Sequence, residues 1–149
     1  MIEVNNPEHA RALEHLGHPF IPGHDHCVTR SGNDGRLLGG VLFQNYRKRS
    51  IELHVQGFEP GWFSKWLCWA VFDYPFNQLG VEKLIGFVAS NNLEALAFDL
   101  KIGFVVETAI TDVVEGGGFI VVSMTRPQCR WLRLPRGTPP LGLRPKGTS

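Results

Sequence analysis

The sequence has few of the features that assign a protein quickly. No stretch reaches the ~18 uninterrupted apolar residues that a membrane helix requires, so no membrane span is expected. There are three cysteines, Cys27, Cys68 and Cys129. An odd number at wide spacing excludes a disulfide framework and points to a reducing, cytoplasmic setting. Residues 1–6 show no basic segment leading into an apolar run, so no secretory signal is expected. The net charge is only +1, too little for a nucleic-acid binder that works through whole-chain charge. No internal repeat is visible. Hydrophobic residues make up 43% of the 149 positions and charged residues 19%, which fits one domain with a packed core. The small net charge conceals an asymmetry. Residues 126–149 carry Arg126, Arg130, Arg133, Arg136, Arg144 and Lys146 and no acid, whereas the rest has 9 basic side chains against 14 acidic ones. Five of the ten prolines also fall in those last 24 residues.

Along the chain, Asn6-Pro7-Glu8 reads as a helix start: an Asn cap, Pro in the first turn and an acid near the positive end. Ala10, Leu13, Leu16 and Gly17 continue and close that helix. Residues 27–30 suit a strand, and Ser31-Gly32-Asn33-Asp34-Gly35 a turn. Residues 37–46 and 50–55 read as a hairpin with a basic tip, Arg47-Lys48-Arg49, and Gly39-Gly40 marks a weak start or a bulge. On the returning strand Ile51, Leu53 and Val55 share one face, Glu52 and His54 the other. Residues 62–79 have helical periodicity, with Trp62, Trp66 and Trp69 as a stripe and Pro75 kinking or ending the regular part. Residues 82–89 form a short apolar strand of the kind buried on both faces. Asn91-Asn92 caps a helix over 93–102, which Gly103 closes. Strands over 104–114 and 119–125 flank Glu115-Gly116-Gly117-Gly118. This order of elements is mixed α/β.

The run Asn92-Leu-Glu-Ala95-Leu-Ala-Phe98-Asp99-Leu-Lys-Ile-Gly103-Phe104, with Phe76-Asn-Gln-Leu-Gly80 and the strand after it, resembles the GNAT N-acetyltransferase superfamily. The resemblance covers residues 37–125. It implies a central mixed sheet with helices on both faces, over residues 1–126, with 127–149 as a basic Pro/Gly-rich extension. It also implies acetyl-CoA as acyl donor, held in a V-shaped gap between strands 50–55 and 82–89. The cofactor diphosphate then rests on amides at the following helix start, here Gly61, Trp62, Phe63, Ser64 and Lys65. The family's loop usually carries a basic residue and a second glycine where this chain has Pro60 and Phe63. Asn92 lines the cofactor gap by the same resemblance, and also reads as a plain helix cap. The Cys129-Arg130-Trp131-Leu132 ending resembles that of small members encoded by tailed bacteriophages.

Acyl transfer to an amine needs a group to take the amine proton, donors for the carbonyl oxygen and an acid for the departing thiolate. Glu52 and His54 are the candidates for the first role; solvation or pairing with Arg47 or Arg49 is the plainer reading. The backbone N–H near Val55 or Gln56 is the candidate for the second. Asp99 stands where the family commonly has a tyrosine acid, and an ordinary surface carboxylate is its plainer reading. The implied function is transfer of acetyl from acetyl-CoA to a primary amine, on a small molecule or a protein, directly in a ternary complex. The alternative is a GNAT fold without catalysis, binding a partner through its aromatic stripe and basic tail. A homodimer through the 119–125 strand or the tail is conceivable. His24-Asp25-His26-Cys27, with His9, His15 or His18, could be read as metal ligands, but adjacent residues rarely converge on one ion. No metal is expected, and Cys27 and Cys68 read as packing residues rather than nucleophiles.

Overall fold

A computed structural model describes residues 1–14 and 19–143. The chain runs β1 (Ile2–Val4), α1 (Pro7–Leu13), β2 (His26–Ser31), β3 (Leu37–Gln44), β4 (Ser50–Gly57), α2 (Lys65–Asp73), β5 (Lys83–Ala89), α3 (Leu93–Ile102), β6 (Val105–Val114) and β7 (Gly117–Thr125). Strand β1 has no counterpart among the sequence expectations. At three residues it is too short to show a period.

Local chemistry sets the helix ends. Asn6 accepts from the Glu8 and His9 amides, and Pro7 opens α1. The expected end of α1 at Leu16 and Gly17 lies outside the described residues; Leu13 is its last helical residue. The second helix starts three residues later than its periodicity suggests. Ser64 is its cap, its hydroxyl accepting from the Leu67 amide, so Trp62 and Phe63 belong to a loop and the tryptophan stripe is split. Pro75 sits in a single π-helical turn, Tyr74–Gln78, that follows α2. Gly103 closes α3 in the left-handed region at φ 112°, where a side chain would be strained.

The seven strands lie in the order β1-β2-β3-β4-β5-β7-β6. Only β4 and β5 run parallel. Helix α1 covers one face, packing Ala10 and Leu13 on Cys27 and Leu42. Helices α2 and α3 cover the other, where Leu67, Phe72 and Ile102 meet Val41, Phe43 and Ile51. Each such side chain withdrawn from water contributes ~2 kcal/mol. This is the mixed α/β order read from the sequence, with the helices on both faces of the sheet that the resemblance implied.

Strand β7 lies between β5 and β6 and is paired along both edges, so the 119–125 segment has no free edge for a second chain. The edge strand on this side of the sheet is β6, and all ten of its residues are exposed.

The basic extension docks on the domain. Cys129, Trp131 and Leu132 pack on the main core, and so does Leu143. Arg130 and Trp131 donate to the carbonyls of Lys101 and Ile102 at 2.6 and 2.7 Å, satisfying acceptors that the end of α3 leaves open. Its basic side chains form no ion pair with the body among the described residues; aromatic burial and backbone acceptors hold it.

Candidate active site

Strands β4 and β5 pair from Ser50↔Lys83 to Leu53↔Gly86 and then part. Both continue past that point. β4 remains paired with β3 to Gly39↔Gly57, and β5 with β7 to Ala89↔Phe119. A wedge therefore opens between His54–Gly57 on one side and Phe87–Ala89 on the other. Amides along a strand point alternately to its two neighbours. Phe58 donates to Leu38 of the β3 side, and Arg49 accepts from Lys83 of the β5 side. By that alternation the N–H groups of Val55 and Gly57 face the wedge, where no strand meets them. The Gln56 amide is turned toward β3, which leaves Val55 as the backbone donor of the two.

The loop beyond β4 is held from an unexpected direction. Arg30 of β2 donates from Nη1 to the carbonyls of Gly61 at 3.0 Å and Trp62 at 2.9 Å. Gly61 takes φ 74°. The amides of Phe63, Lys65 and Trp66 have no acceptor among the described residues, and the first turn of α2 holds no acid. The Lys65 ammonium donates to the carbonyl of Arg136 in the extension.

Aromatic rings crowd the α2 side of the wedge. Gly39 and Gly57 are cross-strand partners, and together they form a flat seat for the Trp62 indole. A Cβ built on Gly57 would lie 1.9 Å from the indole Nε1, and one on Gly39 2.4 Å from the ring. Phe63 meets Phe98 of α3 at 5.2 Å, and Trp62 stacks on Phe98 at 6.2 Å. Val41, Leu53, Val55, Phe63 and Phe98 line an apolar cavity of about 10 Å³, barely room for one water.

The opposite face of β4 carries the polar pair. Glu52 is only 8% exposed. It accepts on Oε2 from the Asn45 amide nitrogen and from Arg47 at 3.4 Å, so the plainer reading, pairing with Arg47, describes much of its environment. His54 is half-buried, two residues on, opposite Leu42 of β3. Asp99 departs from the surface carboxylate of the plainer reading. It lies on the inner side of α3 and is 9% exposed. Its carboxylate makes no hydrogen bond or ion pair among the described residues. Burial without a partner disfavours the charged form and raises its pKa to about 6. Asn92 is exposed and caps α3, accepting from the Ala95 amide at 3.1 Å.

The remaining candidates point apart. His24 faces Asp25 at 3.1 Å, His26 meets the Tyr74 hydroxyl at 2.8 Å, and His9 meets Thr29 at 2.7 Å. His15 and His18 lie outside the described residues. Burial pushes the Cys27 thiol up to about 11 and the Cys68 thiol to about 12, which makes both poor nucleophiles. Trp66 and Trp69 are buried in the core. Sequence reasoning missed Arg30, the glycine seat and Phe98. Only Gly39 carried a signal, as a residue without a side chain on a strand expected to pair; Gly57 lies beyond the expected end of its strand at Val55, and the structure extends β4 to include it.

No family model matches the chain, and no curated protein matches it. Solved structures do. Mutant forms of the spermidine/spermine N-acetyltransferase SpeG from Vibrio cholerae align over 85% of this chain and 95% of theirs, with a TM-score of 0.68 at 17% identity. Another mutant of spermidine N-acetyltransferase SpeG from Vibrio cholerae aligns over 74% and 69%, with a TM-score of 0.63 at 20% identity. The N-acetyltransferase PseH of Campylobacter jejuni, in complex with acetyl coenzyme A, aligns over 70% of each chain with a TM-score of 0.54 at 18% identity. These neighbours are GNAT-family N-acetyltransferases, and at such identities the likeness establishes one thing: this chain has their fold.

Proposed function

We propose that the protein transfers an acetyl group from acetyl-CoA to a primary amine, directly in a ternary complex. The observation that carries this is the parting of β4 and β5 after Leu53 and Gly86, with the Val55 amide left unpaired inside the wedge. A neighbour of the same fold has acetyl coenzyme A bound, and others are named for spermidine, an amine. The residues fit the cofactor in three respects. The wedge can accept a strand-like pantetheine arm, the amides of Phe63, Lys65 and Trp66 can receive phosphate oxygens, and Ser64 holds that helix start in place. Asn92, as the cap of α3, borders the β5 side. Bound there, acetyl-CoA supplies a thioester carbonyl. The Val55 N–H polarises its oxygen, and Glu52 and His54, on the α1 face, take up the amine proton directly or through water. Asp99, beside Phe98, returns a proton to the departing thiolate; a pKa near 6 suits that role better than an ordinary aspartate does.

One observation favours a second reading. Phe63 and Phe98 line a cavity of only about 10 Å³ beside Val55, and Trp62 packs against both rings. In that reading the wedge is permanently filled and the domain serves as a binding module. Thermal unfolding with acetyl-CoA separates the two. Ligand at ~100 times its dissociation constant adds ~2.7 kcal/mol of stability. A shift of that order, with Glu52→Gln and His54→Ala lowering turnover ~10²-fold at unchanged cofactor affinity, supports the transferase. No shift at millimolar acetyl-CoA supports the module.

A further inference from the structure

The C-terminal extension crosses the start of α2 as a strap fastened at both ends. On one side Arg130 and Trp131 are bonded to the last carbonyls of α3, and the Arg130 guanidinium lies 4.5 Å above the Trp131 ring. On the other, Leu141 accepts from the Ile2 amide at 3.1 Å, and Gly142 lies against the Ile2 carbonyl where a Cβ would not fit. Between residues 133 and 139 a single hydrogen bond joins the strap to the domain among the described residues, Lys65 Nζ to the Arg136 carbonyl. Pro135 and Pro139 stiffen this span. Arg133 and Arg136 are exposed and have no carboxylate partner among the described residues.

The backbone at Arg136 and Gly137 thus lies against Lys65 at the loop where the diphosphate rests in the proposed function, and the same span carries the exposed Arg133 and Arg136, which pair with no carboxylate among the described residues. Lys65 is bound to a neutral carbonyl. The loop itself lacks the basic residue its relatives by resemblance carry, with Pro60 in that place. Resting on that reading, we propose that the strap supplies the missing charge: Arg133 and Arg136, with Lys65, form a clamp for the phosphate groups of CoA. Lys65 exchanges the Arg136 carbonyl for a phosphate oxygen, and the two guanidinium groups close on the phosphates from the solvent side. Arginine suits this, since its planar fork matches phosphate oxygens two at a time. The positive strap is drawn toward the anion rather than displaced by it.

The test measures binding of CoA and of pantetheine, which lacks the phosphates, to the full chain by calorimetry. Arg136→Ala lowers CoA affinity about tenfold and the Arg133→Ala/Arg136→Ala pair by more, while pantetheine affinity is unchanged. Arg136→Lys recovers part of the loss. In the unaltered protein CoA slows tryptic cleavage after Arg133 and Arg136. Equal CoA affinity in the variants overturns the clamp and leaves the transferase reading intact. Tighter binding by the variants, with faster strap cleavage in CoA, also overturns it and identifies the strap as an obstruction. Failure of the unaltered protein to bind either ligand removes the clamp together with the transferase reading.

Discussion

Helices α2 and α3 lie on the same face of the sheet, each following a strand that borders the wedge, yet their first turns differ. Helix α3 is capped by Asn92 and has Glu94 in its first turn. Its own chain supplies the negative charge that the helix dipole favours. Helix α2 is capped by Ser64 and has no acid there. Lys65 stands at that end instead, with the basic strap across it. Lysine at a helix N-terminus is unfavourable by a few tenths of a kcal/mol to about 1 kcal/mol. Each cap satisfies one amide and each start leaves its first two without an acceptor among the described residues; the difference is charge, an acid at the start of α3 and a lysine under a basic strap at that of α2. That contrast is what an anion-binding helix start should show beside one that only needs to be stable.

The contrast breaks most completely at the glycine seat. In Gly57→Ala the new methyl occupies the place of the Trp62 indole, 1.9 Å from Nε1, and strand backbone cannot yield. The indole must leave, which costs about 3 kcal/mol of stability and frees the loop before α2. The start of α3 stays in place. Urea unfolding reads the loss, and tryptophan emission shifts to longer wavelength as Trp62 enters water. A variant as stable as the parent would show that Trp62 is not held on the strands at all.

Asp99 extends the comparison to the inner side of α3. Its folded pKa, about 6, lies above the ordinary aspartate value of 3.8. Between those values the folded state binds more protons than the unfolded one, so stability falls as pH rises through that window. The penalty is absent below pH 3.8 and complete above 6. A rise of that size corresponds to roughly 2–3 kcal/mol. Asp99→Asn should therefore raise stability by about that amount at about pH 8 and leave it unchanged near about pH 3.5. Denaturant midpoints at the two pH values check this. A gain of equal size at both would mean that ionisation is not the cause.

These features differ in how far the sequence displayed them. The strand–helix order was legible because its signals are local: Asn6, Asn92 and Gly103 sit where caps belong, and Pro75 ends α2 as a ring without an N–H must. The start of α2 was misread because Trp62 and Phe63 continue the period of Trp66 and Trp69; the capping preference of Ser64 outweighs that period. The wedge was legible only through the resemblance, since nothing in residues 50–57 or 83–89 says where pairing stops. Arg30 was not legible at all. It lies in a strand 31 residues before Gly61 and reaches the loop only because β2, β3 and β4 lie side by side. The burial of Asp99 was hidden as well, because Ala95, Phe98 and Ile102 define an inner face on which an aspartate is a local exception.

The smallest effects test the contrast most finely. Ser64 and Asn92 each satisfy one amide, of Leu67 and Ala95, so Ser64→Ala and Asn92→Ala should each cost ~1 kcal/mol of stability. Were both caps merely structural, the two variants would be alike in every other respect. They should not be alike toward acetyl-CoA. Loosening the first turn of α2 disorders the amides of Lys65 and Trp66, to which the proposed function assigns the phosphates, and weakens cofactor affinity severalfold. Loosening α3 disturbs a turn already balanced by Glu94, at the rim of the wedge rather than at the phosphates, and lowers affinity less. Calorimetric titration of both variants decides the matter: equal affinities would mean that the charge difference between the two helix starts has no bearing on the cofactor, and a larger loss in Asn92→Ala would move the diphosphate to the other helix.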